Sequence, residues 1–317
     1  MELNGKTILI IGMAGGLARL TAELLAKKYP DLNIIGVDSR HSNKFVNKKN
    51  IQFIKMRYTR GNFEKVFRDH TFDIVLHLGR IGHAQNIGAI DARLDLNLMG
   101  TQRILDLCLK FSVKRVVVIS TFHVYGALTD NPTYIKEDAP LRASIKYPEL
   151  RDVVEMDQLC TSWMWKNQRV LDTVILRPCN IIGPQIKNTI SEYLDTAYAP
   201  LGMDYNPMFQ FIHEFDMASV IMKACSDLPT GLYNVASDET ISIKEARKIV
   251  GHPSIPVPLF VLEQTAKILK RVWKFPDYLI EYIMFSCIID NSELKKHLPE
   301  DFFRFKTHEA LELLRLS

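Results

Sequence analysis

The chain has 317 residues, 47% of them apolar, enough for one large domain or two modest ones around a real core. Its 40 basic and 36 acidic side chains leave a formal charge of +4, too slight an excess to mark a nucleic-acid binder. The five cysteines (Cys108, Cys160, Cys179, Cys225 and Cys287) have no paired spacing, so they read as reduced thiols of a cytoplasmic protein rather than a disulfide frame or a zinc site.

In chain order, "KTILIIG" moves directly into an apolar strand without the basic leader and cleavage site of a secretory signal. A helical pattern from Leu17 to Lys28 follows, then the strands "NIIGV", "IQFI" and "DIVLHL", a long helix from Leu94 to Phe111, and the strand "RVVVIS". A helix is expected from Arg151 to about Asn167, and "DTVILRP" reads as a buried strand ended by proline. Short β-rich runs alternating with helices predict an α/β protein with a doubly wound parallel sheet. Beyond "NIIGP" the rhythm breaks into a mixed, smaller cap. Within it "GLYNVAS" is strand-like, and Ser242 with Glu245 predicts a capping box before "IKEARKIVG". No apolar run reaches membrane-spanning length. The amphipathic stretch "LFVLEQTAKILKRVWKFPDYLIEYIMF" fits core-packing or subunit-contact helices better than a membrane surface.

The turn "IIGMAGGLARLTAELL" places Gly12, Gly15 and Ala18 between the first strand and its helix. Glycine at the first two positions lets the turn form and lets backbone N–H groups at Ala14, Gly15, Gly16 and Leu17 approach a pyrophosphate at the helix N-terminus. The second strand ends in Asp38, about 20 residues on, where an acid accepts from a ribose diol and disfavours a 2′-phosphate. Ser39 follows it. Arg40, Arg57 and the basic run through Lys44, Lys48, Lys49, Lys55 and Arg60 pull the other way, so NAD is expected with NADP as the alternative.

With these features in place, the chain resembles the extended short-chain dehydrogenase/reductase superfamily, in particular the NAD-dependent epimerase/dehydratase family that includes UDP-galactose 4-epimerase. The resemblance runs through "DIVLHLG", "NLMGT", "STFHVYG", "LRPCNIIGP", "FIHEFDMA" and "GLYNVAS", in the family's order. It implies a Rossmann domain over residues 1–183 and a substrate-binding cap over 184–317, with about 209–238 returning to the sheet. It adds Leu78, Gly79, Arg80, Asn97, Ser120, Pro178 and Cys179 to the cofactor-binding set.

The family pairs a hydroxyl residue with a tyrosine and a lysine. The tyrosine exchanges a proton with the substrate oxygen while hydride moves to or from the nicotinamide, and the lysine charge lowers the tyrosine pKa from about 10 and binds the ribose. Carried over, the hydroxyl falls on Thr121, the tyrosine on Tyr147, and the lysine position holds Arg151. Four residues apart, Tyr147 and Arg151 would share one helical face, with Pro148 tolerated in the first turn. Lys146 would point about 100° away around that helix. Arginine keeps the charge but not the shape of an ammonium.

Other departures matter. Arg57 stands where many members carry an adenine-binding acid. Phe122 and His123 follow Thr121 where sugar dehydratases carry an Asp-Glu pair, which argues against dehydration. Phe209 replaces the arginine that often grips a nucleotide-sugar diphosphate. His83, between Gly79, Gly82 and the substrate loop, and His123 and Asn180 join Phe122 and Phe209 as substrate-facing candidates, while His213 is assigned to packing. The reading is an NAD(P)-dependent oxidoreductase or epimerase acting on a secondary alcohol or ketone of a small molecule, including sugar and nucleotide-sugar derivatives. It would be a homodimer, with no metal, nucleic-acid or integral-membrane partner. The alternatives are a dinucleotide-binding protein with little catalysis and an enzyme for a hydrophobic alcohol such as a steroid or isoprenoid.

Overall fold

The computed structural model describes residues 2–41, 49–79, 95–258, 261, 275–276 and 278–316. Mostly apolar runs form the strands of a sheet, and all but the edge strand Ile51–Lys55 are covered on both faces. They are β1 (Thr7–Ile11), β2 (Asn33–Asp38), β3 (Ile51–Lys55), β4 (Ile74–His77), β5 (Arg115–Ile119) and β6 (Asp172–Pro178). Five further short strands follow, β7 (Asn180–Ile182), β8 (Ala199–Gly202), β9 (Met208–Phe209), β10 (Phe211–His213) and β11 (Gly231–Val235). The main sheet has seven strands in the order β11-β6-β5-β4-β1-β2-β3, and each adjacent pair is parallel. The order reverses about β1, so the C-terminal ends of β1 and β4 open at a topological switch point, the usual place for a ligand in such sheets.

Two apolar layers flank the sheet. On one face α2 (Arg60–Asp69), α3 (Gly100–Lys110) and α4 (Arg151–Asn167) contribute Phe63, Phe67, Ile104, Cys108, Met156 and Cys160 to the core. On the other face α1 (Gly16–Lys28) supplies Ala18, Ala22 and Leu25, and this layer runs on into the cap. The helix expected from Leu94 begins later as an α-helix, at Gly100, after a π-helical turn over Asp95–Met99.

After β7 the chain also forms α5 (Thr189–Asp195), α6 (Glu214–Ser226), which packs on α1 and β5, then β12 (Ile241–Ser242), α7 (Ile243–Val250), β13 (Ser254–Val257), α8 (Tyr278–Tyr282) and α9 (Thr307–Arg315). The short strands outside the main sheet pair two by two: β10 with β7 and β13 with β8 in parallel, β12 with β9 antiparallel. Ser242 accepts from Glu245 N at 3.3 Å and caps α7. Asp216 of α6 accepts from Arg304 N and Phe305 N, both at 3.0 Å, and so docks the chain leading into α9. Most of the amphipathic stretch read as cap or contact helices, residues 259–260, 262–274 and 277, lies outside the described residues.

Candidate active site

The cofactor turn is built by close backbone approach. Gly12 has φ +89°, and a Cβ there would stand 2.6 Å from the Gly79 Cα, so both positions need glycine. Gly12 N and Met13 N donate to Val37 O, at 2.9 and 3.2 Å, which hooks the turn onto β2. Gly15 caps α1 without any side-chain hydrogen bond, and no acidic residue lies in the first turn, so Gly16 and Leu17 open a helix N-terminus suited to an anion. Gly16 has a second reason to be glycine: a Cβ there would lie 2.0 Å from Gln185 O, because the loop after β7 packs on the start of α1.

Asp38 is buried at the end of β2. Its carboxylate accepts from Ala14 N at 3.0 Å and Arg40 N at 2.8 Å, and the Arg40 guanidinium closes on it at 3.2 Å. Arg40 thus neutralises Asp38, and its hydrogen bond to that carboxylate raises the guanidinium pKa. Ser39 and Arg57 are exposed, with Arg57 O accepting from Asn62 Nδ2. Leu78 N donates to Ile11 O at 3.0 Å. Arg80 and His83 lie outside the described residues.

Tyr58, the residue after Arg57, lines a cavity between α2 and α3 together with Phe63, His77, Gly79 and Arg103. Burial pushes its phenol up, while the Gly12 backbone N–H pulls the other way. Thr101 Oγ1 donates to Asn97 O, so His77 Nε2–H donates to Thr101 at 2.9 Å, which leaves Nδ1 as a buried acceptor with no partner among the described residues. Desolvation lowers the His77 pKa to about 4. Sequence reasoning missed both Tyr58 and His77; the signals were an aromatic after Arg57 and a histidine closing an otherwise apolar strand. Asn97 Nδ2 donates to Asp152 at 2.6 Å inside the core.

Beyond β5 the chain makes a 3₁₀ turn, Phe122–Tyr125, with Thr121 as its cap. Thr121 is buried, and its Oγ1 lies 2.8 Å from His123 Nδ1. The His123 ring packs 4.2 Å from Phe122, 4.8 Å from Tyr282 and 5.5 Å from Tyr278, centroid to centroid. Tyr282 also donates its hydroxyl to His123 O at 3.0 Å. Burial raises the Tyr282 phenol, and the neighbouring Cys287, Tyr278 and Tyr147 add to that rise. Thr121, His123 and Tyr147 therefore border one aromatic cluster that α8 lays over the end of β5.

The shared helical face expected of Tyr147 and Arg151 is absent. Pro148 drives the preceding residue out of the α region, so Tyr147 is extended (φ −121°, ψ 95°) and caps a short 3₁₀ turn, Pro148–Leu150, ahead of α4. Arg151 turns outward: Nε meets Glu155 Oε1 at 2.5 Å, one helical turn on, with the side chain 60% exposed. Once Tyr147 leaves the helix, the exclusion of Lys146 also fails. The Lys146 ammonium lies 5.9 Å from the Tyr147 ring centroid and is paired with Glu281 at 2.5 Å.

Several other expected contacts are committed elsewhere. Ser120 Oγ donates to Asp157, which also takes a two-pronged grip from Arg177. Pro178 and Cys179 are buried behind this layer, and burial raises the Cys179 thiol. Asn180 Nδ2 donates to Gln210 O at 3.1 Å. Phe209 is a core residue, stacked on Phe211 at 5.9 Å, rather than a substrate-facing one. His213 caps α6 by accepting from Phe215 N.

A parallel sheet that reverses at β1, with helices on both faces and a glycine turn at its opening, defines a Rossmann-like α/β protein. The profile of the NAD dependent epimerase/dehydratase family matches residues 8–236, and the chain belongs to that family. An uncharacterised protein of Mycobacterium tuberculosis is 26% identical over 258 residues, 80% of this chain and 68% of the relative. The fold is similar to that of dTDP-glucose 4,6-dehydratase from Bacillus anthracis in complex with NAD (TM-score 0.75, 16% identity, 98% of this chain and 96% of that one). It is equally similar to UDP-glucose 4-epimerase from Thermotoga maritima with UDP-glucose (TM-score 0.75, 16% identity, 98% and 97%). No helix among the described residues is long and apolar enough to cross a membrane.

Proposed function

We propose that the protein is an NAD-dependent oxidoreductase or epimerase acting on a secondary carbinol of a sugar or nucleotide-sugar derivative. The supporting observation is the pair of landmarks on one sheet: a glycine turn with buried Asp38 at β1 and β2, and Thr121 at the end of β5 beside Tyr147's cluster. The residues fit a dinucleotide. The α1 N-terminus carries neither an acid nor a side-chain cap, Asp38 stands at the ribose position, and a cavity beside Tyr58 is lined by His77, Gly79 and Arg103. Asp38 closes the β2 end with its carboxylate buried at the ribose position, which supports NAD, although Arg40 pairs with it there.

When bound, the cofactor supplies hydride acceptance and return. The chain's own residues do the rest: the α1 N-terminus and Asp38 seat the cofactor, and Thr121 orients the substrate oxygen. The aromatic cluster of Phe122, Tyr278 and Tyr282 excludes water, which strengthens every polar contact inside. A bound oxygen can exchange its proton with Tyr147 or with the Thr121–His123 pair. Arg151 is given no part.

The test is a mass spectrum of ligands released by denaturation, followed by NAD titration and a panel of UDP- and dTDP-hexoses monitored by proton NMR. Expected are NAD in the released fraction and epimer or keto-sugar formation that Thr121→Val slows about 100-fold with NAD affinity retained. Failure to bind any dinucleotide would overturn the reading.

A further inference from the structure

We propose that His123 carries the reacting proton of this site, exchanging it with the substrate oxygen through the hydroxyl of Thr121. The inference rests on the hydride-transfer reading above and names a group that performs its acid–base step.

Four observations support it. First, Thr121 Oγ1 and His123 Nδ1 are 2.8 Å apart, a full hydrogen bond between the substrate-orienting hydroxyl and a ring nitrogen. Second, the two charges nearest Tyr147 in sequence are compensated: Arg151 faces Glu155, and Lys146, whose ammonium lies 5.9 Å from the Tyr147 ring centroid, is paired with Glu281. A phenol titrates near pH 10 and works near neutrality only when a strong charge lowers it, whereas an imidazole titrates at about 6.5 and needs none. Third, the His123 ring is held on three sides by Phe122, Tyr278 and Tyr282, so its nitrogen cannot swing away from Thr121. Fourth, the Tyr282 hydroxyl donates to His123 O at 3.0 Å, which fixes the backbone that carries the ring. Among the described residues, the titratable groups around it include Tyr278 and Tyr282 from α8, Tyr147 behind Tyr282, Glu149, which accepts from Tyr278 N at 2.9 Å, and the Lys146–Glu281 pair.

The step balances. With His123 neutral and protonated at Nε2, Nδ1 accepts from the Thr121 hydroxyl. As the carbinol gives up its hydride, for which a nicotinamide seated by the α1 N-terminus and Asp38 would be the acceptor, the substrate O–H proton passes to Thr121 Oγ1. The proton of Thr121 passes to Nδ1, leaving a carbonyl and an imidazolium. Hydride return reverses each transfer, and an epimer results if the carbonyl turns over in between.

Two measurements test the proposal. In nitrogen-15 NMR of the NAD-loaded protein, Thr121→Val should move the His123 Nδ1 resonance and shift its titration midpoint by about half a unit or more. In kinetics, kcat/KM should fall tenfold per pH unit below the midpoint measured for His123. His123→Gln should remove that acidic limb and cut the rate about 100-fold, with NAD affinity changed less than about twofold. Tyr147→Phe should keep the limb. An acidic limb that survives in His123→Gln, or a His123 titration indifferent to Thr121→Val, would overturn the relay. A protein that binds NAD and shows the NMR coupling but turns over no carbinol would sink the hydride reading, and the relay with it, by a distinguishable route.

Discussion

Asp157 and Arg177 are the most exacting residues behind the site. Both side chains are almost wholly buried, and Asp157 takes Arg177 Nε at 2.9 Å, Arg177 Nη2 at 2.5 Å and Ser120 Oγ at 2.5 Å. Arg177 Nη1 goes on to Tyr125 Oη and Glu137 O, and Tyr125 donates to Asn234. The network thus ties the end of β5 to α4, β6 and β11. Removing one partner of a buried pair strands the other charge, which costs about 3–5 kcal/mol, whereas apolar replacement of both is far milder. Asp157→Asn is therefore expected to lower the unfolding free energy by about 3 kcal/mol in urea titration. The double change Asp157→Leu with Arg177→Met should recover much of that loss while leaving Ser120 without its acceptor. Equal losses in the single and double variants would show that the pair is not the dominant contact. Neither role was legible in the sequence, where Arg177 sits inside the apolar run "VILRP" and Asp157 in an amphipathic helix; an isolated charge in a buried strand was the one available signal.

Elements were legible where burial was uniform. Of the strands β1 to β6 all but the edge strand β3 are covered on both faces, so their apolar runs announced them, and the glycine turn was readable because positive φ and close approach select the residue type. The expected start of α4 at Arg151 holds, but extending its face back to Tyr147 does not, because the Tyr147–Arg151 spacing outweighed Pro148, although the steric rule for a residue before proline already argued that Tyr147 is not helical. The cap escaped detailed reading because its order comes from side-chain ties between distant segments. Arg247 of α7 is the chief tie. Buried against the Tyr193 ring, it donates to the carbonyls of Tyr193, Thr196 and Pro253 and to Ser254 Oγ, so one cation satisfies the C-terminal end of α5 and the approach to β13. Arg247→Met fills the space but leaves those carbonyls unpaired. A loss of about 3 kcal/mol and faster hydrogen exchange confined to residues 190–200 and 250–257 are expected. Exchange that speeds up uniformly would mean that the tie is not local.

At the scale of the whole molecule, acid sensitivity follows from two desolvated histidines on opposite sides of the sheet. Burial lowers His77 and His213 to about 4, and each keeps one buried ring nitrogen without a partner among the described residues. A base whose folded pKa lies below its unfolded value of about 6.5 stays neutral in the fold while the unfolded chain takes up the proton. Its stabilising contribution is therefore complete above pH 6.5 and is lost as the pH falls from about 6.5 to about 4. Between pH 7 and pH 5 each should cost about 2 kcal/mol of unfolding free energy. Urea midpoints at the two pH values, for the native chain and for His77→Leu, measure this: the drop should shrink by about half in the variant. An unchanged drop would locate the sensitivity elsewhere.

The glycine turn is clamped from two directions, by Gly79 against Gly12 and by the Gln185 carbonyl against Gly16. A loop gripped in this way is a mould and not a flap. An incoming diphosphate would meet backbone donors already in position, so little chain entropy is lost when it settles, and association should resemble the seating of a rigid key. The same clamp makes the cofactor seat a listener to the cap. Gln185 N donates to Glu214 at the start of α6, and Gly183, at φ +153°, leaves no room beside that carboxylate. Any displacement of the β7–α5 loop would thereby be felt at the first turn of α1.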